Sequence, residues 1–143
     1  MPIFDDPVPP HLLWPETARW PRRRIAALIA RFEKTFPDIL YESRPSVPAA
    51  NAQALRLNGR HCVVIYGGLT RHRCIGWAGL AVALAHETGH HLGGPPHLEH
   101  FRWLSSEERA NDWARDVGLP AVFATRAIRV WQEGSRDLRS AFG

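Results

Sequence analysis

The chain has 143 residues, enough for one domain with a hydrophobic core and too few for two ordinary ones. An apolar share of 45% and six Trp exclude a disordered chain, and the longest apolar run, 11 residues at 75–85, is far short of the roughly 18 that a membrane span needs. Net charge is +4, but the 17 Arg (with the single Lys34) are scattered, with one run at Arg22, Arg23 and Arg24 and no interleaved aromatics, so they read as solvated helix faces and not as a nucleic-acid footprint.

The N-terminus, MPIFDDPVPP, has acids and prolines where a signal peptide needs a basic start and an apolar core. A cytoplasmic protein is expected, with export by a dedicated secretion machine as the alternative. Residues 1–20 carry Pro2, Pro7, Pro9, Pro10 and Pro15 and predict an extended arm, pinned by Trp14 and Trp20, ahead of a single domain over 21–143. Pro21 suits the first position of a helix. Ile25, Leu28, Ile29, Phe32 and Phe36 then recur at helical spacing, and the helix should stop before Pro37. Residues 37–50 read as a connection with at most a short strand.

A hairpin follows. Segments 53–57 and Arg60–Tyr66 flank Asn58-Gly59, the pair that a type I′ turn favours because both turn residues need positive φ. Residues 75–92 are helical and alanine-rich, stopped by Gly93-Gly94 and Pro95-Pro96. Further helices are expected over 106–117, ending at Gly118, and over 120–133. Cys62 and Cys74 have no CxxC spacing and are expected to be buried thiols. The order helix, hairpin, three helices predicts an α+β fold in one domain.

Residues 86–91 read His-Glu-Thr-Gly-His-His, an HExxH motif inside a predicted helix. Residues four apart share a helix face, so the imidazoles of His86 and His90 can reach one ion. Glu87 is offset round the helix and can address a water instead of the ion. A catalytic zinc site needs a third protein ligand. His97 echoes the pattern HExxHxxGxxH but comes one residue late, at a position past Pro96. The next helix offers Glu107 and Glu108. Ala110, Trp113, Ala114 and Val117 predict its buried stripe, and at 100° per residue Glu107 lies on the edge of that stripe, whereas Glu108 points away with Asp112 and Arg115. Ser105 and Glu108 also form S-x-x-E, a capping box that would occupy Glu108. Glu107 is therefore the expected ligand, and Asn111, one turn on, the expected acceptor for the ring N–H of a ligand histidine.

HExxH followed by E-x-x-A-N-x-W-A, here Glu107, Ala110, Asn111, Trp113 and Ala114, resembles the gluzincin zinc metallopeptidases, and is most similar to their small bacterial members, the minigluzincins and the ImmA/IrrE-type proteases. The likeness covers about residues 50–118. It implies a single zincin-like domain, with a small sheet and its hairpin packed on the HExxH helix. It also implies a zinc ion (Zn2+) held by His86, His90 and Glu107, Glu87 as general base, and a hydrolase acting on a peptide or protein substrate. Strand Arg60–Tyr66 would be the sheet edge that receives the substrate. His97, His100, Tyr66 and Arg102 are the candidates for stabilising an oxyanion. A catalytically silent protein of the same fold, binding a protein or nucleic acid, is the alternative reading.

Overall fold

The computed structural model describes residues 7–143; residues 1–6 of the expected arm lie outside the described residues. The architecture is α+β, a three-stranded mixed sheet with helices around it. Helix α1 is Arg19–Thr35, strand β1 is Ile39–Arg44, β2 is Ala52–Leu57 and β3 is Arg60–Tyr66. The one-turn α2 (Gly67–Thr70) leads to α3 (Trp77–Leu92), and α4 (Glu107–Trp113), α5 (Leu119–Phe123) and α6 (Ala127–Phe142) follow.

Residues 7–18 lie along the body. Val8 N–H donates to Pro48 O, Trp14 N–H to Arg71 O and Arg73 N–H to Leu12 O. Val8 and Leu13 are buried in the core, and Trp14 stands edge-on to Trp20 with ring centres 5.2 Å apart. Helix α1 begins two residues ahead of Pro21, a place the ring tolerates because N–H groups of a first turn have no partner inside the helix. Its apolar stripe, Ile25, Leu28 and Phe32, is buried.

The sheet departs from expectation in one way that bears on function. Residues 39–44 form a full six-residue strand, parallel to β3, so the order is β1-β3-β2. Arg60–Tyr66 is therefore the central strand and not an edge, and the edge beside the hairpin is β2. The turn itself is as expected, with Asn58 at φ 52° and Gly59 at φ 77°.

Helix α3 is the axis of the molecule. It packs against the sheet, α1, α4 and α6, and every residue from Ala78 to His90 is buried. Its own Leu80 and Leu84, and Phe32, Ile65, Leu69 and Leu119 from other parts of the chain, are fully buried, each contributing on the order of 2 kcal/mol of transfer free energy. Small residues allow the close approach: a Cβ on Gly134 of α6 would lie 2.3 Å from Ala78 O, and one on Gly89 would lie 2.6 Å from Ala110 O of α4.

The helix expected to end at Gly118 instead continues into α5 through a π turn over Ala114–Gly118. The wider turn shifts the helical phase, so Gly118 and Leu119 face inward and Val117, expected in the buried stripe, is exposed. The expected helix 120–133 is broken at Ala124, whose φ is 53°, and its second piece runs on to Phe142. Cys62 is buried, but Cys74 is exposed, contrary to expectation. Among the described residues no helix is long and apolar enough to cross a membrane.

Candidate metal centre

The last two turns of α3 and the first turn of α4 face each other. They bring His86, His90 and Glu107 together, with one ligand atom of each lying within 4.8 Å of the others. His86 Nε2 is 2.8 Å from Glu107 Oε2, and His90 Nε2 is 3.3 Å from Glu107 Oε1. The far side of each ring is committed. His86 Nδ1 lies 2.7 Å from Asn111 Oδ1, and His90 Nδ1 lies 2.6 Å from the carbonyl of Ser105. Both acceptors fix the proton on Nδ1, so both Nε2 lone pairs turn toward the carboxylate. Three acceptors converging at these distances need a proton or a cation between them. Two imidazoles and one carboxylate, each ring oriented by a partner behind it, fit a divalent first-row metal.

Burial opposes charge on both rings, with different outcomes. On His86 it prevails and holds the imidazole below its ordinary pKa, against the pull of Glu107. On His90 the Glu107 and Glu87 carboxylates and the Ser105 carbonyl outweigh burial and raise the pKa. Burial likewise works to raise the Glu107 carboxyl, but the adjacent His86 and His90 rings outweigh it and hold the group well below the usual carboxylate range.

Glu87 stands outside the trio. Its Oε2 is 4.0 Å from His90 Nε2, its side chain is buried, and burial pushes its pKa up to about 7 against the charge of His90 and a hydrogen bond from the backbone of Ala54 on β2. His91, the second half of the His-His pair, faces the other way. Its Nε2–H donates to Cys62 O at 2.8 Å, and its Nδ1 accepts from His61 Nδ1, also at 2.8 Å. Burial lowers its pKa to about 4, so it ties α3 to β3 as a neutral ring.

The centre opens into a cleft of about 290 Å³. One wall is β2, from Ala52 to Arg56; the other is the segment after α3, with Leu98, Phe101, Trp103 and Leu104. The second wall is fastened at its end by a pair of ties, His90 Nδ1–H to Ser105 O and Ser105 N–H to His90 O at 2.7 Å.

One part of the ligand argument differs from the structure. Ser106, not Ser105, caps α4, accepting from Arg109 N–H at 3.2 Å, and the Ser105 hydroxyl donates to Gly94 O. Glu107 thus faces the histidines because of helix phase alone, and Glu108 is not in the ligand group. His97 is exposed and belongs to no ligand group among the described residues. None of the four oxyanion candidates lines the cleft: Tyr66 donates to Gln53 Oε1 at 2.7 Å, and His97, His100 and Arg102 are exposed outside it. Among the described residues Arg56 is the arginine that does line it, with its guanidinium 5.7 Å from the Trp103 ring centre. Alternation along β2 carries that signal, but only once β2 is known to be the edge.

No protein-family model matches the chain, and no match was found among curated proteins or solved structures.

Proposed function

We propose that the chain is a zinc metallopeptidase of the gluzincin type, with His86, His90 and Glu107 as ligands and Glu87 as general base. The observation that carries this reading is the division of labour among four groups, three of them buried and Glu107 at the open side of the cleft. Three converge as acceptors, the two rings each with an outer partner in place, while a second carboxylate, Glu87, lies beside them uninvolved. A purely structural metal has no use for such a carboxylate, and closed structural zinc sites take four ligands, usually with Cys. A zinc ion held there would supply Lewis acidity, polarising a peptide carbonyl and acidifying a water. Glu87 would take a proton from that water and return it to the leaving amine, a task suited to a buried carboxylate that lies beside the ligands without joining them. The outer edge of β2 would hold the peptide extended through its main chain, with Leu98, Phe101 and Trp103 facing the side chains.

Purified protein is expected to hold about one zinc per chain. Glu87→Gln is expected to keep the metal and the fold but lose peptide hydrolysis, because an amide cannot accept the proton. Wild-type protein that stays folded and metal-free after zinc supplementation would overturn the reading. So would a Glu87→Gln variant that cleaves peptides at the wild-type rate.

A further inference from the structure

The cleft is mixed in chemistry. The metal centre contributes Glu87, His90 and Glu107, and the segment after α3 contributes the apolar Leu98, Phe101, Trp103 and Leu104. Arg56 of β2 brings a positive charge into the same space.

Strand β2 sets the spacing. Ala54 is level with the centre, because its backbone bonds to the Glu87 side chain. Ala54 and Arg56 pair with Val63 and His61 of β3. Val63 is in the core and His61 bonds to His91 of α3, so this face of the sheet looks toward the helix. Side chains two apart on a strand project to the same side, about 7 Å from one another. Arg56 therefore enters the cleft one such interval along from the centre.

Its far end is held by the opposite wall. The guanidinium lies 5.7 Å from the Trp103 ring centre, and contact with an aromatic face leaves the in-plane N–H edge able to donate. Elsewhere Arg44 and Arg115 pair with carboxylates, and Arg71 and Arg109 donate to main-chain carbonyls. Among the described residues no such acceptor takes the Arg56 donors. An acceptor brought by a ligand, between apolar side chains that exclude water, would meet a preset fork of donors, which suits a carboxylate bound through both oxygens. Nearer the centre the same carboxylate would face Glu87 and Glu107 and be repelled.

We infer that Arg56 is an anion subsite of the cleft, taking a carboxylate of the bound peptide two residues along from the position level with Glu87. The substrate class that follows is a peptide apolar at the centre of the cleft and acidic at its Arg56 end, through a Glu or Asp side chain or a free C-terminus. Cleavage of that peptide rests on the proposed peptidase reading; its binding does not.

The probe is a blocked heptapeptide of Ala with a central Phe, in which one Glu or one Gln is stepped through the Ala positions, together with shortened forms ending in a free carboxylate or its amide. Binding to the zinc-supplemented full chain carrying Glu87→Gln is expected to show one position, or one free terminus, at which the carboxylate binds about five- to tenfold tighter than its amide, less so at high salt. The stepped Glu and the free terminus tell the two sources apart. Arg56 is exposed on β2, so its variants are expected to fold. Arg56→Gln is expected to erase the preference, and Arg56→Glu to turn it into a preference for Lys at the same position. No preference anywhere, or one that survives Arg56→Gln, overturns the inference. With Glu87 intact, Arg56→Gln is expected to lower kcat/KM for the Glu peptide about five- to tenfold more than for its Gln counterpart. Equal losses would place the guanidinium at the reacting carbonyl and overturn the subsite. If no chain cleaves any peptide, the peptidase reading fails, while binding and charge reversal still decide the subsite.

Discussion

From Trp77 to Ala85, α3 is surrounded by apolar and small side chains and touches α6 through Gly134. From His86 to His91 it is surrounded by polar partners: Asn111 and Glu107 on His86, Leu84 O and Tyr41 on Thr88, Ser105 on His90, Cys62 O and His61 on His91. Among the described residues, none of these side chains is left with a buried polar atom lacking a partner. The first half is held by shape, the second by directed bonds. Shape tolerates neighbours of similar volume, whereas directed bonds demand particular atoms, and that is the property a ligand sphere requires.

The largest effect is expected at the proposed ligands, where a directed bond would itself be a metal bond. Glu107→Ala should weaken zinc binding on the order of a thousandfold, about 4 kcal/mol, while Glu108→Ala and His97→Ala leave it unchanged. Zinc titration against a competing chelator separates the three, and loss only in His97→Ala would move the site to the loop. Next come the two glycine contacts, which set the halves against each other. Gly134→Ala and Gly89→Ala should each cost about 3 kcal/mol by forcing a helix outward. Only Gly89→Ala should also weaken zinc binding in the folded protein, because it displaces α4 and with it Glu107 and Asn111. Thermal melts of chelated protein alongside zinc titrations show whether the halves separate in this way. Asn111→Ala keeps all three ligands and frees one ring, and a loss of about 10- to 100-fold in zinc affinity is expected. The smallest change is Thr88→Val. Tyr41 donates to the Thr88 hydroxyl at 2.8 Å and would be left unpaired in the core, at a cost of about 1–2 kcal/mol in denaturant melts with zinc affinity unaltered.

The same division explains what the sequence disclosed. His86, His90, Glu107 and Asn111 sit on two helices, and spacing and phase within a helix are local, so their convergence was legible. The sheet was not. Residues 39–44 lie between Pro37 and Pro45 and pair with a parallel strand some twenty residues away, a partnership that no turn announces. Without β1 the hairpin's second arm looked like an edge, and so the edge role of β2, with Arg56 and the cleft beside it, went unread. The π turn at 114–118 escaped for a related reason. The apolar spacing up to Val117 predicts an ordinary helix, and packing of Gly118 against the Trp113 ring supplies what the spacing does not show.

The paired ties between His90 and Ser105 have a thermodynamic consequence. One residue both offers a lone pair to the metal centre and anchors the end of the wall that carries Phe101 and Trp103. Linkage between two such occupants is reciprocal. Any factor by which a bound ion tightens the binding of a peptide against that wall is the factor by which the bound peptide tightens the binding of the ion. Metal retention and cleft occupancy are then two measurements of a single coupling free energy.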